Sequence, residues 1–168
     1  MAREVVRIEG LEGVLDALRK LPAEIVSKAG GPVKAALKKS AEVVRDEAIT
    51  NVVNMILTPN ADGIPYDGQY TLAKNIVATR GRMRGQKGER FTVRIRRVPY
   101  DVGSKAKPVS TPQVGRLLEY GSERVNPHPW LRPAFDAKKN EALQVFASEM
   151  NRRVKAVIDR LERQAKRK

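Results

Sequence analysis

Apolar residues recur at helical spacing in three parts of the chain. Leu11, Val14, Leu15, Leu18 and Leu21 form the first stripe and predict a short amphipathic helix over residues 10–21, stopped by Pro22. Ala23 to Ala29 has room for a further turn or two before Gly30-Gly31-Pro32 interrupts the pattern. From Pro32 a second stripe, Val33, Ala36, Leu37, Ser40, Ala41, Val44, Ala48, Val52 and Ile56, predicts a helix of about six turns. Its inner face is mostly small, which allows close approach to a sheet or another helix. The third stripe, Phe135, Leu143, Phe146, Met150, Val154, Val157 or Ile158, and Leu161, predicts a last helix from Pro133 towards Lys168. Unbroken, that helix is about 50 Å long, more than a small domain needs.

Between the second and third stripes the period shifts towards two. Thr71 to Thr79 reads as a strand. Arg90 to Val98 is a clearer one, with Phe91, Val93 and Ile95 alternating with Thr92, Arg94 and Arg96, so that one face is apolar and the other polar and cationic. Arg80 to Glu89, with glycines at 81, 85 and 88, reads as a basic hairpin tip; the spacing is neither that of a P-loop nor that of a dinucleotide fingerprint. A short strand at Tyr100–Val102 leads into loop as far as Gln113. Val114 to Tyr120 predicts a short helix closed by Gly121 at its C′ position. Val5 to Ile8 adds a weak edge strand, and Thr58 to Tyr70 has the Pro, Asn, Asp and Gly content of a long loop. These elements predict one α+β domain over residues 1–168, a small antiparallel β-sheet packed against a long central helix and a long C-terminal helix.

Charge adds a candidate surface. The 168 residues carry a formal net charge of +14, which attracts polyanions such as nucleic acid, acidic lipid or an acidic protein partner. The densest cluster is Arg80, Arg82, Arg84, Lys87, Arg94 and Arg96, a candidate polyanion contact. Helix-turn-helix, zinc and RNA-recognition patterns are lacking, and so are interleaved aromatics for stacking on single strands. A second basic run follows Asn151, and the apolar stripe continues through it; that part is expected to pack on a neighbouring subunit. The composition has no cysteine, which excludes disulfides, thiolate metal sites and cysteine nucleophiles. No apolar run reaches signal-peptide or membrane-spanning length, so a soluble chain is expected.

Catalytic chemistry is not legible. His128 is the only histidine and lies between two prolines, with no Ser or Asp arrangement around it. Paired-carboxylate and metal-ligand spacings are missing, and Asp62 with Asp67 lacks the ligand alternation of a calcium loop. The sequence predicts no enzyme, no cofactor and no metal site. What stands out instead is Leu117 to Phe135, with the only Trp and three of the ten prolines. Pro127, Pro129 and Pro133 stiffen the segment and push the residues before them towards extended conformations. The stretch predicts an element ending at Tyr120-Gly121, an extended arm, and a helix start at Pro133, with Trp130, Leu131 and Phe135 seating that helix. Glu119 is expected to be a structural carboxylate, hydrogen-bonded or paired with Arg116, Arg124 or Arg132.

The same residues carry a resemblance. Glu119-Tyr120-Gly121, followed by Pro127-His128-Pro129-Trp130-Leu131-Arg132-Pro133-Ala134-Phe135, resembles the "E-[FY]-G-[ST] … P-x-P-[FW]-[LM]-R-P-A" signature of the minor tail, neck and tail-completion proteins of long-tailed bacteriophages and prophages. Residues 10–22 are similar to that family's amino-terminal short helix, and Lys34 to Val53 to its long Ala/Lys-rich helix. Asp67-Gly68 to Leu72 with Lys74-Asn75-Ile76 stands where the family has "T-G-x-L-x-x-S-I", with Asp67 for Thr and Asn75 for Ser. The resemblance implies a structural virion protein, made in the host cytoplasm, that joins or completes the head–tail interface as a ring of identical subunits, a hexamer or dodecamer. It implies as partners the head-side connector, the tail-tube or tail-terminator proteins and DNA in the channel, and no membrane. Two other readings stay open: a tail terminator capping the tube, and a basic DNA-binding protein without sequence specificity.

Overall fold

A computed structural model describes residues 31–56, 70–82, 89–100 and 109–166. The expected edge strand at Val5–Ile8, the helix at 10–21, most of the 58–70 loop, and Arg84 and Lys87 lie outside the described residues. The elements are α1 (Gly31–Ile56), α2 (Thr71–Lys74), β1 (Ile76–Arg80), β2 (Phe91–Ile95), β3 (Pro99–Tyr100), β4 (Val109–Ser110), α3 (Thr111–Tyr120) and α4 (Leu131–Ala165). This is an α+β fold, with the β1–β2 sheet packed against the long helices.

Helix α1 follows its sequence pattern. Ala36, Val44, Ala48, Val52 and Ile56 are buried, and all lie four or eight residues apart on one face. Helix α4 runs antiparallel to it. Ala36 clusters with Phe146 and Met150 at one end, while Ala48 and Val52 share a core with Trp130 and Ala134 at the other. Alanines at 36, 48, 134 and 142 let the two backbones approach, and Lys39–Glu149 (3.4 Å) and Glu47–Lys138 (3.9 Å) bridge the seam. The main core continues through Ile56, Leu72, Ile76, Val114 and Leu118. Each fully buried aliphatic side chain of this kind stabilises by about 1.5–3 kcal/mol.

Strands β1 and β2 pair antiparallel with Ile76 opposite Ile95 and Ala78 opposite Val93, so those side chains share the face turned to the core. The second pair, β3 with β4, is two residues long on each side. Thr111 ties the two pairs to α3. Its buried hydroxyl donates to the Arg96 carbonyl (2.6 Å) and accepts from the Val98 N–H (3.1 Å).

Three boundaries differ from the sequence pattern. Thr71–Lys74 is a helical turn rather than the first half of a strand: Leu72 and Ala73 are both buried, which alternation does not allow, and the Asn75 amide donates to the Thr71 carbonyl (2.8 Å) to close the turn. Helix α3 begins at Thr111, not Val114. The Gln113 side chain accepts from the Ser110 N–H (2.9 Å), a capping arrangement, and Pro112 sits in the first turn where its lack of an N–H costs nothing. Helix α4 begins at Leu131, two residues before Pro133, because its first N–H groups have a partner elsewhere in the chain.

Candidate assembly site at the arm and the first turn of the last helix

Helix α3 ends in a backbone shape that only glycine takes readily. Gly121 has φ 72° and ψ −171°, outside the left-handed helical region expected of a C′ glycine and in a region nearly closed to other residues. Its N–H still donates to the Leu117 carbonyl (2.8 Å). A Cβ at this position would lie 2.8 Å from both the Val125 carbonyl oxygen and the Pro127 nitrogen, which are backbone atoms with little room to move. Gly121→Ala is therefore expected to cost about 1–3 kcal/mol, read as a lower urea midpoint with an unchanged denaturant slope.

Beyond Gly121 the arm folds back along α3. The Ser122 N–H donates to the Val125 carbonyl (2.8 Å), and the His128 N–H donates to the Leu118 carbonyl (2.7 Å). Pro127 and Pro129 are exposed, His128 is half-buried and Trp130 is buried, the alternation of an extended segment lying on a core. The indole of Trp130 is 3% exposed, and its Nε1–H donates to the Gly115 carbonyl (2.9 Å). Asn51 of α1 donates through its side-chain amide to the Trp130 carbonyl (3.0 Å). Gly115 is crowded: a Cβ there would fall 2.0 Å from Ile95 Cδ1, so the end of that side chain would have to shift, and 3.6 Å from the Trp130 ring.

Glu119 sits half-buried at the joint, and its carboxylate accepts three backbone N–H bonds, from Trp130 and Leu131 (2.8 Å each) and from Arg132 (3.1 Å). These are among the N–H groups that a helix start leaves without intrahelical partners, and Pro133, the next residue, has none to satisfy. A carboxylate also suits the positive end of the helix dipole. The hydrogen bonds of Glu119 thus come from the backbone rather than from the side chains of Arg116, Arg124 or Arg132. Sequence reasoning missed Asn51 and Gly115. A glycine in the middle of a short amphipathic helix was the available signal for the second.

Phe135 departs from expectation. It is 42% exposed and does not seat α4; fully buried Ala134 takes the inward position, Leu131 packs partly against the core, and Arg132 and Pro133 are exposed. The buried residues at 134, 142, 146 and 150 set the phase of the helix, and 135 lies about 100° away. Tyr120 is 69% exposed. The two rings flank a groove of about 550 Å³ between α1, β2 and the start of α4.

The basic cluster is divided among surfaces. Arg80 shares the Phe91 side of the hairpin and makes a two-point ion pair with Glu89 (Nε to Oε2, 2.7 Å). Arg94 points to the opposite side, where its Nε donates to the Thr79 hydroxyl (2.8 Å). Arg82 and Arg96 are exposed. On α4, Arg152, Lys155, Arg160 and Arg163 are exposed as well. Among the described residues no group of three His, Cys, Asp or Glu is placed to hold a metal ion, and no helix is long and apolar enough to cross a membrane.

Glu149 concentrates the charge at the far end of the α1–α4 seam, within reach of Arg152 (2.8 Å), Arg153 (3.2 Å) and Lys39 (3.4 Å). The hydrogen bond from Arg152 holds its carboxyl below the ordinary value of 4.5; desolvation opposes this, and the charges of Arg152 and Lys39 add to it. A carboxylate depressed in the folded state contributes stability above its unfolded pKa and loses it as pH falls through the folded one. Wild type is expected to be more stable than Glu149→Gln at neutral pH. The gap should narrow as pH falls below the ordinary 4.5 and close once pH passes below the depressed folded-state value, as followed by melting temperature at a series of pH values.

The chain matches no family model, no curated protein and no solved structure.

Proposed function

We propose that this protein is a structural component of a phage-type virion, joining or completing the head–tail interface as a ring of identical subunits. The observation that supports this best is the overhang of α4. The last α4 residue packed on the α1–α4 core among the described residues is Val154, which lies against the Ala36–Phe146–Met150 cluster, as Val33 near the start of α1 does. The helix nevertheless continues to Ala165, about 16 Å further. A helix that projects past its own partner helix suits contact with a neighbouring copy, where it would be covered by heterologous packing that closes under rotation. The Glu119–Trp130 joint supports the same reading, since it fixes the direction of that helix from eleven residues away. The signature residues Glu119, Gly121, Trp130 and Ala134 all serve that joint.

On this reading the partners are further copies of the chain, a head-side connector and a tail-tube or terminator protein, and the protein resides in the virion neck or tail. Purified full-length protein is expected to co-fractionate with those neck and tail components as a large complex. Elution as a monomer in their presence would contradict the proposal. A terminator role at the end of the tube differs only in position, and gives co-fractionation with tube protein alone.

The net charge of +14 and the exposed Arg82, Arg94 and Arg96 around the β1–β2 hairpin favour one further reading, a DNA-binding protein without sequence specificity. It requires binding to duplex DNA that weakens steeply with salt and is lost on neutralising Arg82, Arg94 and Arg96. Weak, salt-insensitive binding alongside intact assembly excludes it.

A further inference from the structure

The groove beside Phe135 has apolar walls from three elements: Leu37 and Val44 of α1, Val93 of β2, and Leu131, Phe135 and Leu143 of α4. We infer that it is the docking site for residues 10–21 of the same chain. Four properties point to that occupant.

The first is complementarity of surface. The spacing of Leu11, Val14, Leu15 and Leu18 would put four aliphatic groups on one side of a helix with charged residues on the other, and a helix of that pattern needs an apolar surface to cover its stripe. The second is length. Twelve helical residues extend about 18 Å, and the groove runs along α4 from Arg132 to Leu143, about 16 Å. The third is the tether. Residues 22–30 separate the stripe from Gly31 and reach at most about 30 Å when extended. The near end of the groove, at Leu37, lies only about 9 Å along α1 from Gly31. Docking within the chain therefore has an effective concentration on the order of millimolar, which a separate molecule lacks.

The fourth is charge. Entry from Gly31 puts Leu21 near the Leu37–Leu143 end, because α1 and α4 are antiparallel. The docked helix then runs parallel to α4. In that direction Asp16 falls nearer Lys139 and Glu12 nearer Arg132, the two exposed cations on the rim. Glu119, the carboxylate that also lines the groove, is already engaged by three amides of α4. Docking would cover Phe135, whose exposure is otherwise unaccounted for.

The absence of cysteine makes a direct test available. Asp16→Cys and Lys139→Cys, both at charged rather than core positions, are combined in the full chain and treated with a short bismaleimide. The inference predicts a fast-migrating, internally crosslinked monomer on a denaturing gel as the main product. It also predicts no crosslinked dimer when the two single-cysteine chains are mixed. Adding Leu15→Asp should slow the internal reaction by about tenfold or more. Dimers from the mixed chains would give the groove to a second copy, and no crosslink in either arrangement would leave it without this occupant; either result overturns the inference. The native mass of the same samples is read separately. A ring without the internal crosslink sinks this inference alone, and a crosslinked monomer sinks the assembly reading alone.

Discussion

Trp130→Ala lowers the stability of the fold by about 3–5 kcal/mol, the usual cost of emptying a buried aromatic site. For a chain of this size that is a fall in melting temperature on the order of 10 °C. The expectation rests on position as much as on size. The ring fills the space between Gly115 and the α1 face carrying Ala48 and Val52, and its N–H is the partner of a carbonyl inside α3. Truncation therefore opens a cavity and strips the Gly115 carbonyl of its donor together. Trp130→Phe should cost less, keeping much of the volume while losing the hydrogen bond, itself worth about 1 kcal/mol. An unchanged melting temperature for Trp130→Ala, with assembly lost, would transfer this residue from the core to an interface.

The second large effect is at Glu119. Glu119→Ala leaves the Trp130, Leu131 and Arg132 N–H groups without their acceptor at a half-buried helix start. Loss of a single cap costs about 0.5–2 kcal/mol, and a charge-assisted one lies at the upper end. About 2–3 kcal/mol is expected here, measured by urea unfolding. Glu119→Gln retains an acceptor oxygen and should recover roughly half of it. Hydrogen exchange should localise the change, with faster exchange at residues 130–132 and little effect at the Phe146–Met150 end of α4. Uniform acceleration along the helix would mean that Glu119 is not a local cap.

How much of this was legible in sequence depended on whether the deciding interaction was local. The stripe of α1 was readable because its residues contact one continuous surface. The Phe91–Val93–Ile95 alternation was readable for the same reason. The N-terminus of α3 had a local signal, Ser110 with Gln113 three residues later, but the prolines at 108 and 112 made the segment look like loop. The start of α4 had no local signal. Its acceptor, Glu119, is eleven residues away and is brought there only by the turn at Gly121. Pro133 therefore looked like the first helical residue when it stands in the third position. The same displacement misassigned Phe135, since by size it seemed the inward residue, whereas Trp130 had already filled the core and left only an alanine-sized space at 134. The basic cluster read as one patch because sequence proximity ignores the pleat, which sends Arg80 and Arg94 to opposite sides.

The role proposed for this chain turns on whether the projecting end of α4 joins copies together. Native mass measurement on the full-length protein, beside a chain ending at Val154, asks this directly. The account predicts a closed ring of identical subunits for the full chain, and a folded monomer, with its α1–α4 core intact, for the shortened one. A full-length protein that stays monomeric at assembly concentrations, or a shortened chain that forms the same ring, would contradict it.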